Sequence, residues 1–127
     1  MSKSKTYTDD LSCPIKYLME VFGGKWKLPV ICILRNGEAM RYNEIKKQLG
    51  NVTDIMLSQS LKELEKSKMI KRHQYNEVPP RVDYILTAKG KSIIPALAQM
   101  GEWAVKHMQE DNKQPECGNC ISCATKD

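Results

Sequence analysis

Apolar residues recur three and four positions apart through most of the chain, which predicts a mainly helical fold. The first helix is expected to follow an N-cap at Ser12, with Pro14 in its first turn, where proline loses no hydrogen bond. Its core-facing stripe comprises Ile15, Leu18, Met19 and Phe22. A second helix is predicted over residues 25–35, with a core face formed by Trp26, Val30, Ile33 and Leu34.

The centre of the chain predicts two short helices joined by a tight polar connection. Residues 43–49 form the first, capped by Asn43, and residues 54–67 form the second, capped by Thr53. At about 100° per residue, one narrow face of the second helix carries Leu57, Leu61 and Leu64. The opposite face carries Ile55, Ser58, Gln59, Lys62 and Lys66. Long polar donors on an exposed face are typical of a recognition helix in the DNA major groove, although a solvated charged face gives the same pattern.

Two strand-like runs, residues 70–75 and 81–86, follow the central helices. Pro79-Pro80 between them cannot donate to a sheet, so the pattern predicts a hairpin with a rigid, protruding tip. Thr87 is expected to cap a last helix over residues 88–109, which has a broad apolar stripe. A small domain leaves little core for that stripe to cover, so a second subunit is its predicted cover; the alternative is a helix folded back on its own core.

The charge distribution favours a polyanionic partner. The 127 residues include 20 Lys and Arg against 15 Asp and Glu, a net charge of +5. Between Arg41 and Arg72 there are eight basic and four acidic residues, so most of the excess lies around the central helices. The first 12 residues contain no apolar signal segment, and no apolar run approaches the roughly 20 residues of a membrane span. We therefore expect a single-domain cytoplasmic protein with no membrane partner.

Three consecutive helices, the one over residues 25–35 and the central pair, followed by a stiff-tipped hairpin, describe a winged helix-turn-helix. This is an α+β, mostly helical fold, with a long C-terminal helix that is expected to serve in dimerisation. Residues 1–10 are predicted to form an N-terminal arm, residues 11–109 the winged helix domain and residues 110–127 a cysteine-containing tail.

Motifs at these elements resemble the HxlR family of bacterial and archaeal transcription regulators, relatives of the MarR group. In chain order they are CP at 13–14, GGKW at 23–26, RYNEI at 41–45, MLS at 56–58, LKEL at 61–64, VPPRVDY at 78–84 and LTAKG at 86–90. Each motif alone is weak evidence for the family, but the order and spacing of all the motifs together make a strong match. The resemblance covers about residues 11–108. The resemblance implies a homodimer that binds a pseudo-palindromic operator in double-stranded DNA, with the two recognition helices in successive major grooves.

The predicted DNA contact surface combines the recognition helix, the start of the preceding helix and the wing. Its residues are Arg41, Asn43, Thr53, Asp54, Ile55, Ser58, Gln59, Lys62, Arg72, Pro79, Pro80 and Arg81. Arg72 and Arg81 are expected to contact phosphates or a narrow minor groove. Two positions depart from the family pattern. Asn51 replaces a frequent glycine, and Ile55 replaces a basic or polar residue, so Ile55 either touches a thymine methyl or marks a changed specificity.

The five cysteines, in a chain without an export signal, predict free, reactive or metal-bound thiols. Cys13 is expected at a helix N-terminus, which favours the thiolate, and the resemblance implies sensing of quinones, aldehydes or oxidants there. The alternative for Cys13 is a small buried residue at a helix start. The tail thiols, Cys117, Cys120 and Cys123, are one ligand short of a structural zinc site or a cluster, so they are weak metal candidates. A tail without a fixed ligand and thiol–disulfide chemistry are the alternatives, and no cofactor is predicted.

The leading function is a dimeric, sequence-specific DNA-binding transcription regulator, switched by thiol-reactive electrophiles or oxidants through Cys13. One alternative is a protein–protein adaptor that uses the same face for acidic partners, without an operator. Another is a metal- or redox-responsive regulator that acts through the CxxCxxC tail. An enzyme is not expected, because the sequence shows no paired carboxylates, nucleophile–base set or phosphate-binding glycine loop.

Overall fold

The computed structural model describes residues 13–113. Its elements are α1 (Pro14–Phe22), α2 (Lys27–Ile33), β1 (Met40–Arg41), α3 (Tyr42–Leu49), α4 (Asp54–Lys66), β2 (Ile70–Tyr75), β3 (Arg81–Leu86), α5 (Ala88–Ser92) and α6 (Ile94–Glu110). The predicted α+β, mostly helical winged helix-turn-helix is confirmed. The predicted N-terminal arm, residues 1–10, and residues 114–127 of the predicted tail lie outside the described residues.

The hydrophobic core lies between α2, α3, α4 and the sheet. All three leucines predicted for the inner face of α4 are at most 2% exposed. They pack with buried residues that include Val30, Ile31, Leu34 and Ile45. The core therefore fixes which face of α4 is turned outward.

The second helix begins at Lys27, later than predicted, with Trp26 at its N-cap. Pro29 therefore falls in the first turn of this helix, where it removes no helical hydrogen bond.

The wing has the predicted strand bounds and one further strand. β2 and β3 pair antiparallel from Ile70 opposite Leu86 to Tyr75 opposite Arg81. The short β1 pairs with the other edge of β3, giving the order β1-β3-β2. The residues before α3, predicted only as an extended stretch, thus belong to the wing sheet. This pairing places Arg41 opposite Asp83, at the base of the wing.

Some helix N-caps lie at the positions predicted from the sequence, and others do not. Thr53 caps α4 as predicted, its Oγ1 accepting from the backbone N–H of Met56 at 3.1 Å. The predicted cap at Asn43 is wrong, because Arg41 is the N-cap of α3 and its backbone N–H donates to Glu44 Oε1 at 2.9 Å. The predicted cap at Ser12, which lies outside the described residues, is also wrong: Cys13 is the N-cap of α1 and Pro14 its first residue.

The apolar stripe of α1 does not face the core of its own chain. Ile15, Leu18 and Met19 are 59%, 41% and 56% exposed, and Val21 is the residue of α1 that is buried. The prediction of a core-facing stripe is therefore wrong for these three residues in the single chain, while the fourth, Phe22, is partly buried and packs against the core. Helical spacing shows that a helix is amphipathic, but it does not show what covers the apolar face.

The predicted last helix is divided in two. α5 ends at Ser92 and α6 begins at Ile94, with Pro95 in the first turn of α6, where its ring cannot continue a preceding helix. No residue of α6 is buried in the single chain, and Met100 and Trp103 are 60% and 67% exposed. Between residues 13 and 113, none of the helices combines the length and apolarity needed to cross a bilayer.

The start of α5 is anchored to the segment that follows α4. The Thr87 hydroxyl accepts from the backbone N–H of Gly90 at 3.0 Å and donates to the carbonyl of Lys68 at 2.6 Å. Lys89 Nζ donates to the carbonyl of Ser67, the C-cap of α4, at 2.9 Å. Gly90 is buried, and a Cβ there would lie 2.1 Å from the carbonyl oxygen of Met69. Glycine thus permits the close approach of α5 to this segment.

Candidate nucleic-acid interface

One face of α4 is fully presented to solvent. Ile55 is 80% exposed, and Ser58, Gln59, Lys62 and Lys66 are exposed beside it. The buried leucines on the opposite side hold this face in a fixed direction. The exposed face of α4 is long enough to lie in a DNA major groove. Its polar side chains can contact base edges there, and Ile55 can contact a thymine methyl group.

A small polar network joins α3 to the first turn of α4. Lys46 Nζ lies 2.9 Å from Asp54 Oδ1, and the Tyr42 hydroxyl donates to the same oxygen at 2.7 Å. The hydrogen bond from Lys46, followed by that from Tyr42, lowers the pKa of Asp54, and the hydrogen bond to Asp54 raises the pKa of Lys46. The Asp54 carboxylate is thus partly neutralised within the protein, on a surface that otherwise attracts anions.

Two adjoining grooves bring most of the predicted contact residues together. The first is lined by Arg41, Tyr42, Asn43, Glu77, Pro79, Pro80, Arg81 and Val82. The second, between α4 and the sheet, is lined by Tyr42, Ser58, Lys62, Glu65, Arg72, Val82 and Tyr84. Tyr42 and Val82 line both grooves, so the wing, the start of α3 and α4 form one continuous surface. Tyr42 and Lys46 were missed as site residues by the sequence reasoning, although Tyr42 lies inside the RYNEI motif.

The wing tip is exposed, and its base is braced by Arg81. Val78 is fully exposed and precedes Pro79 through a cis peptide bond. The Arg81 guanidinium carbon lies 3.8 Å from the centroid of the Tyr75 ring. Arg81 also approaches Glu77 and Asp83 at 3.8 and 3.7 Å. Arg81 therefore stiffens the hairpin while about a third of its side chain, 30%, stays exposed.

The two cysteines that the structure describes, Cys13 and Cys32, line neither groove. Cys13 is half-buried at the N-cap of α1, where its carbonyl accepts from the backbone N–H of Tyr17 at 3.1 Å. Cys32 is half-buried within α2. Cys117, Cys120 and Cys123, the weak metal candidates, lie outside the described residues. Within residues 13–113, no group of three or more His, Cys, Asp or Glu side chains could hold a metal ion.

A family model described as HxlR-like helix-turn-helix matches residues 21–112. The chain belongs to this family. The family predicted from the order of the motifs is therefore confirmed, and the chain is a transcription regulator with a helix-turn-helix fold.

The similar proteins are described as regulators. An uncharacterized HTH-type transcriptional regulator of Methanothermobacter thermautotrophicus is 45% identical over 95 residues, which cover 75% of this chain and 72% of the relative. Among solved structures, a putative MarR-family transcriptional regulator from Porphyromonas gingivalis is 36% identical, with a TM-score of 0.70 over 75% of this chain and 92% of its own. The redox regulator HypR, in its oxidized form, is 37% identical, with a TM-score of 0.66 over 72% and 93%. These relatives of the HxlR-like chain are regulators.

Proposed function

We propose that this HxlR-like regulator is a homodimer that binds a pseudo-palindromic operator through α4 and the wing. The observation that carries the proposal is the meeting of α4, the start of α3 and the wing in two adjoining grooves with exposed basic residues. The DNA-binding unit is the winged helix domain, residues 11–109. Its action on DNA would take place in the cytoplasm.

Each part of the surface has a distinct role in the proposal. Ser58, Gln59 and Lys62 contact base edges, and Ile55 touches a thymine methyl group. Arg41, Asn43, Thr53 and Arg72 contact the phosphate backbone and set the position of α4 in the groove. The wing reaches the adjacent backbone or minor groove through Pro79, Pro80 and Arg81. Asp54 lies at the entrance to the groove, where its pairing with Lys46 limits its repulsion of phosphate.

Dimerisation is supported by two exposed apolar faces. One is on α1, formed by Ile15, Leu18 and Met19, and the other on α6, formed by Met100 and Trp103. A second copy of the chain that covers them removes a large apolar area from water, which is the usual driving force for a symmetric dimer. Two recognition helices about 34–36 Å apart would then meet major grooves one helical turn apart.

Fluorescence anisotropy tests the DNA-binding proposal. Labelled duplexes are taken from the DNA upstream of the gene and from sequences selected out of a random library, with scrambled duplexes for comparison over a range of salt. Lys62→Ala should weaken binding to the selected duplex by about 1–3 kcal/mol. The control Lys91→Ala removes the same charge from an exposed position on α5, outside both grooves, and should change operator affinity little. Binding no tighter than to scrambled DNA would favour the protein–protein adaptor instead.

A thiol switch at Cys13 completes the proposed function. Its supports are the position of Cys13 at the start of α1, next to one of the proposed dimer faces, and the similarity to a redox regulator, HypR. The Cys13 thiolate would add to a quinone, forming a carbon–sulfur bond while the quinone is reduced to a hydroquinone adduct. A bulky adduct at the N-terminus of α1 would displace that helix and change the separation of the two recognition helices.

A further inference from the structure

Lys27 is the buried charged residue among residues 13–113. It is 6% exposed, and its ammonium lies 2.7 Å from Glu63 Oε1 on α4. The same ammonium donates to the carbonyl of Glu20 on α1 at 3.3 Å. Burying a lysine is unfavourable unless its charge is paired and hydrogen-bonded, so the Glu63 carboxylate is held in place from the interior of the domain.

The second oxygen of the Glu63 carboxylate is turned toward the proposed DNA face. Gln59 Nε2 donates to Glu63 Oε2 at 3.1 Å, one turn earlier on α4. The hydrogen bond from Lys27, followed by that from Gln59, lowers the pKa of Glu63 below its ordinary value of 4.5, so the carboxylate, which is already ionised at neutral pH, keeps its charge in more acidic solution. An ionised carboxylate only accepts hydrogen bonds, so Gln59 must turn its nitrogen and not its oxygen toward Glu63.

The hydrogen bond to Glu63 determines which donor and acceptor groups Gln59 can present to a DNA base. One amide hydrogen is committed to Glu63, while the other and the carbonyl oxygen remain free on an exposed side chain. An adjacent donor and acceptor in fixed order match the N7 acceptor and N6 donor of adenine in the major groove. An amide free to turn by 180° would not present that order reliably.

We propose that Lys27 and Glu63 are positioning residues that fix the Gln59 amide for adenine, so that one base pair of each half-site is read as A·T. The proposal rests on the DNA-binding function proposed above. It also explains why a lysine is buried behind a recognition helix, where an apolar residue would cost less to bury.

The test compares base preference at one position of the selected duplex. Gln59→Ala first identifies the base pair at which preference is lost, and the four base pairs are then compared there by anisotropy. The wild-type chain should prefer adenine by about 10-fold, the value of a good bidentate contact. Glu63→Gln keeps the shape of the side chain but adds an amide donor, so Gln59 can turn either way. This variant should lose most of the adenine preference.

Three further variants separate positioning from electrostatics and folding. Glu65→Gln removes the same charge from the other shoulder of α4, so it should change overall affinity as Glu63→Gln does but keep the adenine preference. Lys27→Met should lose the preference and Lys27→Arg should retain it, with folding of each variant followed by circular dichroism. If Lys27→Met does not fold, the comparison of Glu63→Gln with Glu65→Gln decides the matter alone.

The possible results distinguish this inference from the function on which it rests. An unchanged adenine preference in Glu63→Gln, together with its loss in Gln59→Ala, would overturn the positioning role while leaving DNA binding intact. A wild-type preference for another base at the Gln59 position would overturn the assignment of adenine. Failure of the wild-type chain to select any sequence would overturn the proposed function as well.

Discussion

Lys46 and Asp54 form an ion pair, with Nζ 2.9 Å from Oδ1, across the turn between the two helices of the helix-turn-helix. The pair lies beside the hydrogen bond from the Tyr42 hydroxyl to the same carboxylate oxygen, so three side chains fix the start of α4 against α3. Asp54 also lies at the positive end of the α4 dipole. The presence of an acidic residue on the proposed DNA-binding face is thus explained by its role in orienting α4.

Asp54→Asn should destabilise the fold at neutral pH, and the difference from the wild type should vanish in acid. The folded-state pKa of Asp54 is lowered below its ordinary value of 3.8, so the contribution of the carboxylate is complete above that value. It is lost as the pH falls through the lower, folded-state pKa. Thermal unfolding of both proteins, at neutral pH and in steps below pH 3.8, measures the difference.

The control for this pH series is Glu38→Gln, which removes a carboxylate from the exposed loop between α2 and β1. It should unfold like the wild type throughout. A destabilisation in Asp54→Asn that persists unchanged in strong acid would contradict a role for the ion pair.

Thr53→Ala should lower the free energy of unfolding by about 1 kcal/mol, because it leaves the Met56 N–H at the start of α4 without its side-chain acceptor. Urea unfolding followed by circular dichroism measures the change. Thr53→Ser keeps the hydroxyl and should recover most of the loss. Equal destabilisation by both substitutions would show that the methyl group, and not the cap, is responsible.

Gly90→Ala should be one of the more damaging single-methyl substitutions in the domain. The added Cβ would lie 2.1 Å from the Met69 carbonyl oxygen, and a backbone atom cannot move aside as a flexible side chain can. Overpacking of this kind lowers the free energy of unfolding by about 3 kcal/mol when the neighbouring atom cannot move. Urea unfolding measures the change. Ala88→Gly, at an exposed position of the same helix, tests helix propensity alone and should cost about 1 kcal/mol or less. A smaller loss of unfolding free energy in Gly90→Ala than in Ala88→Gly would contradict the close approach of α5 to the Met69 carbonyl.

The sequence predicts the elements whose signals are local. Leucines at helical spacing define the buried face of α4, and Pro79-Pro80 separates two strands whose bounds are correct. Pairing between distant segments carries no such signal. β1 has two residues and joins the sheet only through β3, and this pairing makes Arg41, not Asn43, the cap of α3.

Burial of polar side chains is also difficult to predict from one sequence. Lys27 is buried because Glu63 on α4 and the Glu20 carbonyl on α1 meet its ammonium in the folded domain. By contrast, the periodicity of α1 indicates an apolar face but cannot tell a core from a subunit interface. The proposed contact residues on α4, the wing and the start of α3 could be named from the sequence, whereas Tyr42, Lys46 and Lys27 required the three-dimensional structure.

Trp103→Glu should weaken the proposed dimer. Trp103 is 67% exposed in the single chain, and a charge buried at its position in a subunit interface would lack a partner. As a central contact, Trp103 should account for about 2 kcal/mol or more of the free energy of dimerisation. Sedimentation equilibrium measures the loss in the variant. Gln109→Glu adds the same charge at an exposed position about 120° around α6 from Trp103 and should leave the dimer intact. A Trp103→Glu protein that remains dimeric at the same concentrations would place the interface elsewhere.

Cys13→Ser should abolish the response of operator binding to a quinone while leaving affinity without the electrophile near the wild-type value. The reason is that serine fits the half-buried N-cap position of α1 but has no thiolate to add to the ring. Anisotropy with and without the quinone measures affinity, and mass spectrometry of proteolytic peptides identifies the modified residue. Cys32→Ser, which changes the other thiol of the described chain, is the matched control and should respond as the wild type does. A quinone response that survives in Cys13→Ser would assign the switch to another residue, and a response lost only in Cys32→Ser would assign it to α2.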